Sequence, residues 1–238
     1  MIVYGKNVIE QLESDPKIIQ ELYLLKGLKD RTVKDRAARI GLKVRELSRL
    51  QLDELTDGGV HNGMAAKVKD VPVYTLDQLL KKKKNDKGFY VALDGIQDPH
   101  NLGAILRTAD CAGVDGVIIT KHHSAGLTPT AVKASTGAAW SVPVAMVANM
   151  SQALKAMKEE GYWIAGTDMT DARDYRKGMY EEPTVLVIGS EGKGISPLVK
   201  KQCDYMVTLP MHGSVTSLNA SVAAGILMYE VISKRSPQ

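Results

Sequence analysis

From residue 89 onward the chain repeats one pattern: a short, nearly unbroken apolar run, then a stretch with apolar residues at helical spacing. The apolar runs fall at residues 89–94, 116–119, 142–147, 162–166 and 184–188. The helical patterns fall at 102–112, 130–137, 151–160 and 196–203. Strands apolar on both faces and separated by helices predict a parallel sheet covered on both sides, an α/β fold. A last helix is predicted over 218–232. It is apolar almost all round, which predicts that most of it is buried.

The first 70 residues read differently. Residues 21–26 predict a strand, 30–40 and 46–56 amphipathic helices, and 63–68 a second strand after the turn-prone Asp57-Gly58-Gly59. That is a small α/β module. Residues 71–88 start with a short helix (Leu76, Leu79, Leu80) and end in the lysine run Lys81 to Lys84 and a turn, which predicts a flexible linker. The expected organisation is a small domain at 1–70, a linker at 71–88 and a larger domain at 89–238.

Net charge is only +4 over 238 residues, so its distribution matters more than its sum. Between Lys26 and Arg49 there are nine basic residues, among them Arg31, Arg36 and Arg39, against three acidic ones. Such a patch suits a phosphate backbone, although a solvated helix face looks the same in sequence. The opening residues lack the apolar run of a signal peptide, and no stretch is long enough to span a membrane. With only Cys111 and Cys203 present, the chain is expected to be cytoplasmic, with two buried, reduced thiols.

Three segments carry candidate chemistry. In Asp98-Pro-His-Asn-Leu-Gly-Ala-Ile-Leu-Arg, residues 98–107, a helix puts Leu102, Ile105 and Leu106 on one face. Arg107 falls off that stripe and leans back across Gly103 towards Asn101. An N-cap and a surface charge would explain the same residues. The second segment, 184–197, runs from an apolar strand into a glycine-rich turn holding Glu191. It is neither a dinucleotide fingerprint, because Pro197 stands where the third glycine belongs, nor a P-loop, because Ile195 follows Gly194. A nucleotide-dependent dehydrogenase is thereby disfavoured. Glu191 sits where α/β sheets bind ligands, at the carboxyl end of a strand. In the third segment Ser217, Asn219 and Ser221 crowd the start of the last helix, more polar groups than capping requires.

Together, Asn-Leu-Gly-Ala-Ile-Leu-Arg (101–107), Ile-Gly-Ser-Glu-Gly-Lys-Gly-Ile (188–195) and Leu-Pro-Met-His-Gly-Ser-Val-Thr-Ser-Leu-Asn-Ala-Ser-Val-Ala (209–223) resemble, in order and spacing, the three motifs of the SpoU/TrmH family of RNA ribose 2′-O-methyltransferases. The opening Val-Tyr-Gly-Lys-Asn-Val-Ile-Glu-Gln-Leu resembles the start of that family's substrate-binding domain, whose fold is like that of RNA-binding ribosomal proteins. The branch most similar methylates a guanosine of 23S ribosomal RNA.

The resemblance implies a trefoil-knotted SPOUT domain and S-adenosylmethionine bound in the knot, with no metal. The backbone near Thr167, Ile188, Gly189, Leu209, Met211 and Leu218 would hold this methyl donor. Arg107 would be catalytic, with Asn101, Glu191, Ser217 and Asn219 around it. A guanidinium is always protonated, so Arg107 is expected to orient the ribose hydroxyl and stabilise the developing alkoxide rather than act as a base. His100 and His212 are competing base candidates. Lys26, Arg31, Arg36 and Arg39 would contact RNA phosphates. A homodimer through the last helix is also implied. Within the same chemistry, the alternatives are a transfer RNA methyltransferase and an antibiotic-resistance ribosomal RNA methyltransferase. Outside it stands a non-catalytic RNA-binding assembly factor.

Overall fold

The computed structural model describes residues 1–12, 15–28, 30–84, 86–169 and 172–236, with the side chains of residues 8, 11 and 31 outside the description. The chain forms two compact units, Met1–Val71 and Pro72–Gln238.

The first unit contains β1 (Ile2–Tyr4), α1 (Lys6–Leu12), β2 (Ile19–Leu25), α2 (Arg31–Arg39), β3 (Val44–Leu47), α3 (Arg49–Leu55) and β4 (Met64–Val68). Its four strands lie in the order β1-β4-β2-β3, antiparallel except for the β2–β3 pair. The strands β1 and β3 and the helix α1 are additions to the expected elements. The edge strand β3 is exposed at Val44, Arg45 and Glu46 and buries only Leu47, so it lacks the apolar alternation that marks a strand. Helix α3 begins where Ser48 and Gln51 form a capping box, later than the expected start at residue 46.

The second unit begins with β5 (Val73–Tyr74) and α4 (Leu76–Leu80), which corrects the expectation of a linker over 71–88. Strand β5 pairs with β8 (Val144–Val147), a capping box of Thr75 and Gln78 starts α4, and Leu79 is fully buried. The lysine run that follows is anchored too. Buried Asp115 accepts the backbone N–H groups of Lys84 and Phe89 at 2.9 and 2.8 Å. Burying a carboxylate is costly unless it is hydrogen-bonded, and two N–H donors meet that condition.

The large sheet adds β6 (Phe89–Asp94), β7 (Gly116–Thr120), β9 (Trp163–Thr167), β10 (Arg173–Asp174), β11 (Thr184–Gly189) and β12 (Tyr205–Thr208). The order is β10-β12-β9-β11-β6-β7-β8-β5, and every neighbouring pair is parallel. On one face Tyr90, Ala92, Val185 and Val187 pack with Leu79 and with Leu154 and Met157 of α8 (Met150–Glu159). Alternation sends Val91, Leu93, Leu186 and Ile188 to the other face, which α5 (Pro99–Cys111) and α10 (Ala220–Arg235) cover. The remaining helices are α6 (Pro129–Ala134), α7 (Ala138–Ser141) and α9 (Pro197–Lys200). The helix expected over 130–137 breaks into α6 and α7 at Thr136 and Gly137, both at positive φ.

Two further expectations are corrected. Helix α10 buries Ala224, Leu227, Met228 and Val231, but Val222, Ile226 and Tyr229 are 49 %, 38 % and 52 % exposed. Its all-round apolar character therefore serves two faces, of which this chain covers one. Cys203 is largely enclosed, whereas Cys111 is exposed; both are free thiols.

Candidate active site

The central strands β11 and β6 run in register, with Gly189 beside Asp94 at their carboxyl ends. From Gly189 the chain makes a tight turn. Ser190 and Gly194 exchange backbone hydrogen bonds of 3.1 and 2.9 Å, and Gly192 and Gly194 adopt positive φ. A side chain at residue 189 would meet the carbonyl carbon of Gly194 at 2.2 Å, so the position admits only glycine. Asp94 Oδ2 accepts the backbone N–H of Ser196 at 2.7 Å, which ties the far end of the turn to β6.

This turn delivers Glu191 to the start of two helices. Its Oε1 accepts from Asn101 Nδ2 at 3.1 Å, Asn219 Nδ2 at 2.8 Å and the backbone N–H of Ala220 at 3.2 Å. Asn219 Nδ2 also lies 2.9 Å from Asn101 Oδ1, and Asn219 Oδ1 caps α10 through the N–H groups of Ser221 and Val222. Asn101 lies in the first turn of α5 and Asn219 caps α10, so two sequence-distant amides converge on the carboxylate carried by the turn after β11. An anion at the amino end of α10 is favoured by the helix dipole. No other hydrogen bond to Glu191 exists among the described residues, so its second oxygen is unpaired there.

Beside this cluster lies a cavity of about 840 Å³. Its lining includes all six residues expected to hold a methyl donor: Thr167, Ile188, Gly189, Leu209, Met211 and Leu218. Ala223 and Leu227 extend the apolar wall; Glu191 and Ser217 also line it, and Asp168, ion-paired with Lys200, gives it a polar end. The sequence reading missed Asp168 and Lys200, because they lie outside the three motifs and meet only through the fold. Among the described residues no group of three or more His, Cys, Asp or Glu side chains is placed to hold a metal.

Arg107 stands apart from this cluster. It is exposed on α5 and makes no side-chain hydrogen bond among the described residues. Gly103 is no open lane for it, because a Cβ there would lie 2.5 Å from the Ala131 carbonyl oxygen and 2.4 Å from Ala134 Cβ of α6. That glycine exists for helix packing. His100 is exposed, and His212 is exposed and does not line the cavity.

In the first unit Arg36 is ion-paired with Glu10 at 3.3 Å, while Lys26 and Arg39 are exposed without an ion pair among the described residues. The Arg31 side chain lies outside the described residues.

Residues 88–229 match the model of the SpoU rRNA Methylase family, and residues 2–74 match that of RNA 2′-O ribose methyltransferase substrate binding. A Bacillus subtilis protein, YacO, named as a TrmH family tRNA/rRNA methyltransferase, is 47 % identical over 245 residues, spanning 99 % of this chain and 96 % of its own. A Staphylococcus haemolyticus protein of the same description is 42 % identical over 240 residues, with 99 % and 96 % covered. Among solved structures, the SpoU methyltransferase AviRb of Streptomyces viridochromogenes, in complex with the cofactor AdoMet, superposes with a TM-score of 0.81 at 26 % identity, covering 99 % of this chain and 90 % of that one. With the three motif segments gathered at the carboxyl ends of the central strands, and the two family models matching residues 2–74 and 88–229, the chain belongs to the SpoU rRNA Methylase family of RNA methyltransferases, TrmH type, with a substrate-binding domain at its amino end.

Proposed function

We propose that this protein transfers a methyl group from S-adenosylmethionine to the ribose 2′-hydroxyl of a guanosine in 23S ribosomal RNA, acting as a cytoplasmic homodimer. The observation that carries the chemistry is the Glu191 carboxylate, fixed by Asn101 and Asn219 on the lining of the cavity. The cavity lies within the roughly 300–1,000 Å³ range of small-molecule sites. Its apolar wall of Ile188, Leu209, Met211 and Leu218 suits an adenine ring, and its Asp168–Lys200 end suits a charged amino-acid moiety. The trefoil knot belongs to this reading. It is supported by the course of the chain, which leaves β11 for β12 beyond β9 and then returns to place α10 against α5 and β11.

When bound, S-adenosylmethionine supplies a methyl group on a positively charged sulfur. The protein's own part is positional. Asn101 and Asn219 hold Glu191 so that its unpaired oxygen accepts a hydrogen bond from the incoming ribose hydroxyl. Ser217, on the cavity wall, adds a second polar contact. Arg107 lies six residues along α5 from Asn101, roughly 9 Å at the helical rise, so it serves the flank of the site. There its guanidinium neutralises charge on the phosphate adjoining the reacting ribose. Exposed Lys26 and Arg39 would hold RNA phosphates in the amino-terminal domain. The exposed stripe Val222, Ile226 and Tyr229 supports a dimer through α10.

The test is to incubate the protein with radiolabelled S-adenosylmethionine and unmodified 23S ribosomal RNA, with bulk transfer RNA in parallel, and to map the label. Label on one ribosomal guanosine, lost in Arg107→Ala, is expected. Label on transfer RNA alone would retain the chemistry and replace the substrate. Absence of cofactor binding would leave a non-catalytic RNA-binding factor.

A further inference from the structure

The connection leaving β7 carries three consecutive basic residues, Lys121, His122 and His123, all exposed. None of the three side chains forms an ion pair or hydrogen bond among the described residues. Their backbone, by contrast, is held from both sides. Lys121 N–H donates to the Val147 carbonyl at 2.8 Å, and Ala125 N–H donates to the Ile96 carbonyl at 2.7 Å. Thr120 Oγ1 donates to the His122 carbonyl at 2.8 Å, and Ser124 Oγ donates to the Thr120 carbonyl at 2.9 Å. His123 adopts φ 61°, a left-handed conformation disfavoured for a residue with a Cβ. These bonds hold the three exposed side chains on a fixed backbone.

The bracing also decides where the turn stands. Its bond to Ile96 fastens it to the connection that feeds α5 and hence Asn101. Strand β7 neighbours β6, which neighbours β11, so the turn lies about one strand spacing from the β6 exit and two from the Glu191 turn, roughly 5 and 10 Å. The carboxylates of the adjoining connection are already engaged, Asp94 by the N–H of Ser196 and Asp98 by that of His100.

We propose that Lys121, His122 and His123 form a rigid phosphate-binding knuckle that holds the RNA strand beside the reacting ribose. The proposal rests on the RNA-methylating reading above. Lys121 supplies a point charge, and each imidazole supplies an N–H donor in either protonation state. Such phosphate bonds position the strand and carry no sequence information, so removing them weakens binding to all RNA alike.

The experiment measures filter binding of the intact protein to unmodified 23S ribosomal RNA transcript across a salt series. It compares the natural protein with K121Q/H122Q/H123N and, as a control, Lys155→Gln on the exposed face of α8. Asparagine at 123 tolerates the left-handed backbone, which preserves the turn. The triple variant is expected to bind about tenfold more weakly, with a log-affinity-against-log-salt slope shallower by about 0.7 for each phosphate no longer neutralised. Its thermal midpoint and its affinity for S-adenosylmethionine should not change. An unchanged slope, or an equal change in the Lys155 control, would overturn the knuckle. Methyl transfer by the natural protein judges the underlying reading separately, since the salt slope is measured without turnover.

Discussion

At the scale of single residues, the site depends on positions where a side chain is forbidden as much as on those where one acts. Gly189 lets the turn fold back against the end of β11, and that turn sets both the cavity wall and the height of Glu191. Gly189→Ala would drive a Cβ into backbone, which must move because no flexible side chain can yield. Affinity for S-adenosylmethionine, measured by calorimetric titration, should fall at least tenfold while circular dichroism stays near native. Retained affinity would show that the turn does not shape the donor site. The cysteines illustrate the same dependence on surroundings. Burial pushes the Cys203 thiol up to about 12, so it stays protonated and inert at neutral pH, whereas Cys111 is exposed. Both were expected to be buried, because a cysteine near the end of an apolar helix reads the same whether it faces the core or solvent.

At the scale of elements, helix starts are set by side chains legible in the sequence. Asp30 caps α2, accepting from the Thr32 N–H and hydroxyl and pairing with Lys6 at 2.9 Å. The Thr32 hydroxyl first, and then Lys6, hold its carboxyl down to about 2. Because its pKa is depressed on folding, Asp30 contributes stability that is present above the ordinary carboxylate range near 4 and lost as pH falls towards 2. Hydrogen exchange on the intact chain should therefore show α2 amides losing protection between about pH 4 and pH 2. Asp30→Asn should flatten that dependence, and an identical profile would remove the cap from the account. At the other end of the chain Arg235 donates to the carbonyl oxygens of Tyr180 at 2.7 Å, Lys87 at 2.5 Å and Glu182 at 2.6 Å. Its guanidinium lies over the Phe89 ring, so the end of α10 is fixed to the start of β6. These carbonyls belong to two segments, 53 to 55 and 148 residues earlier in the chain, so no local pattern around Arg235 reveals the anchor.

At the scale of the whole molecule, α10 presents Val222, Ile226 and Tyr229 on one exposed face, at the four- and three-residue spacings that make neighbours on a helix surface. Isolated exposed apolar residues are ordinary, whereas three on one face of a helix whose other face is core form the surface through which the proposed dimer would be made. Sedimentation velocity should find a dimer for the natural protein and a monomer for Ile226→Glu. A monomeric natural protein would instead make the stripe part of the RNA or cofactor surface.

The pattern of residues by itself determined the parallel α/β core, because strands apolar on both faces have nowhere else to go. It also determined the motifs, since glycine turns, caps and the Asn-Glu-Asn set are chemically specific in their order. The short strands β5, β10 and β12 escaped it: two to four residues carry too little periodicity to distinguish from loop. Tertiary structure alone decided that Gly103 serves helix packing rather than Arg107, and that the 71–88 segment joins the large sheet. It alone brought Asn101, Glu191 and Asn219, separated by up to 118 positions, onto one carboxylate oxygen. The physical reason is common to all three: each depends on which surface faces a residue across the fold, and local sequence encodes only which surface a residue has to offer.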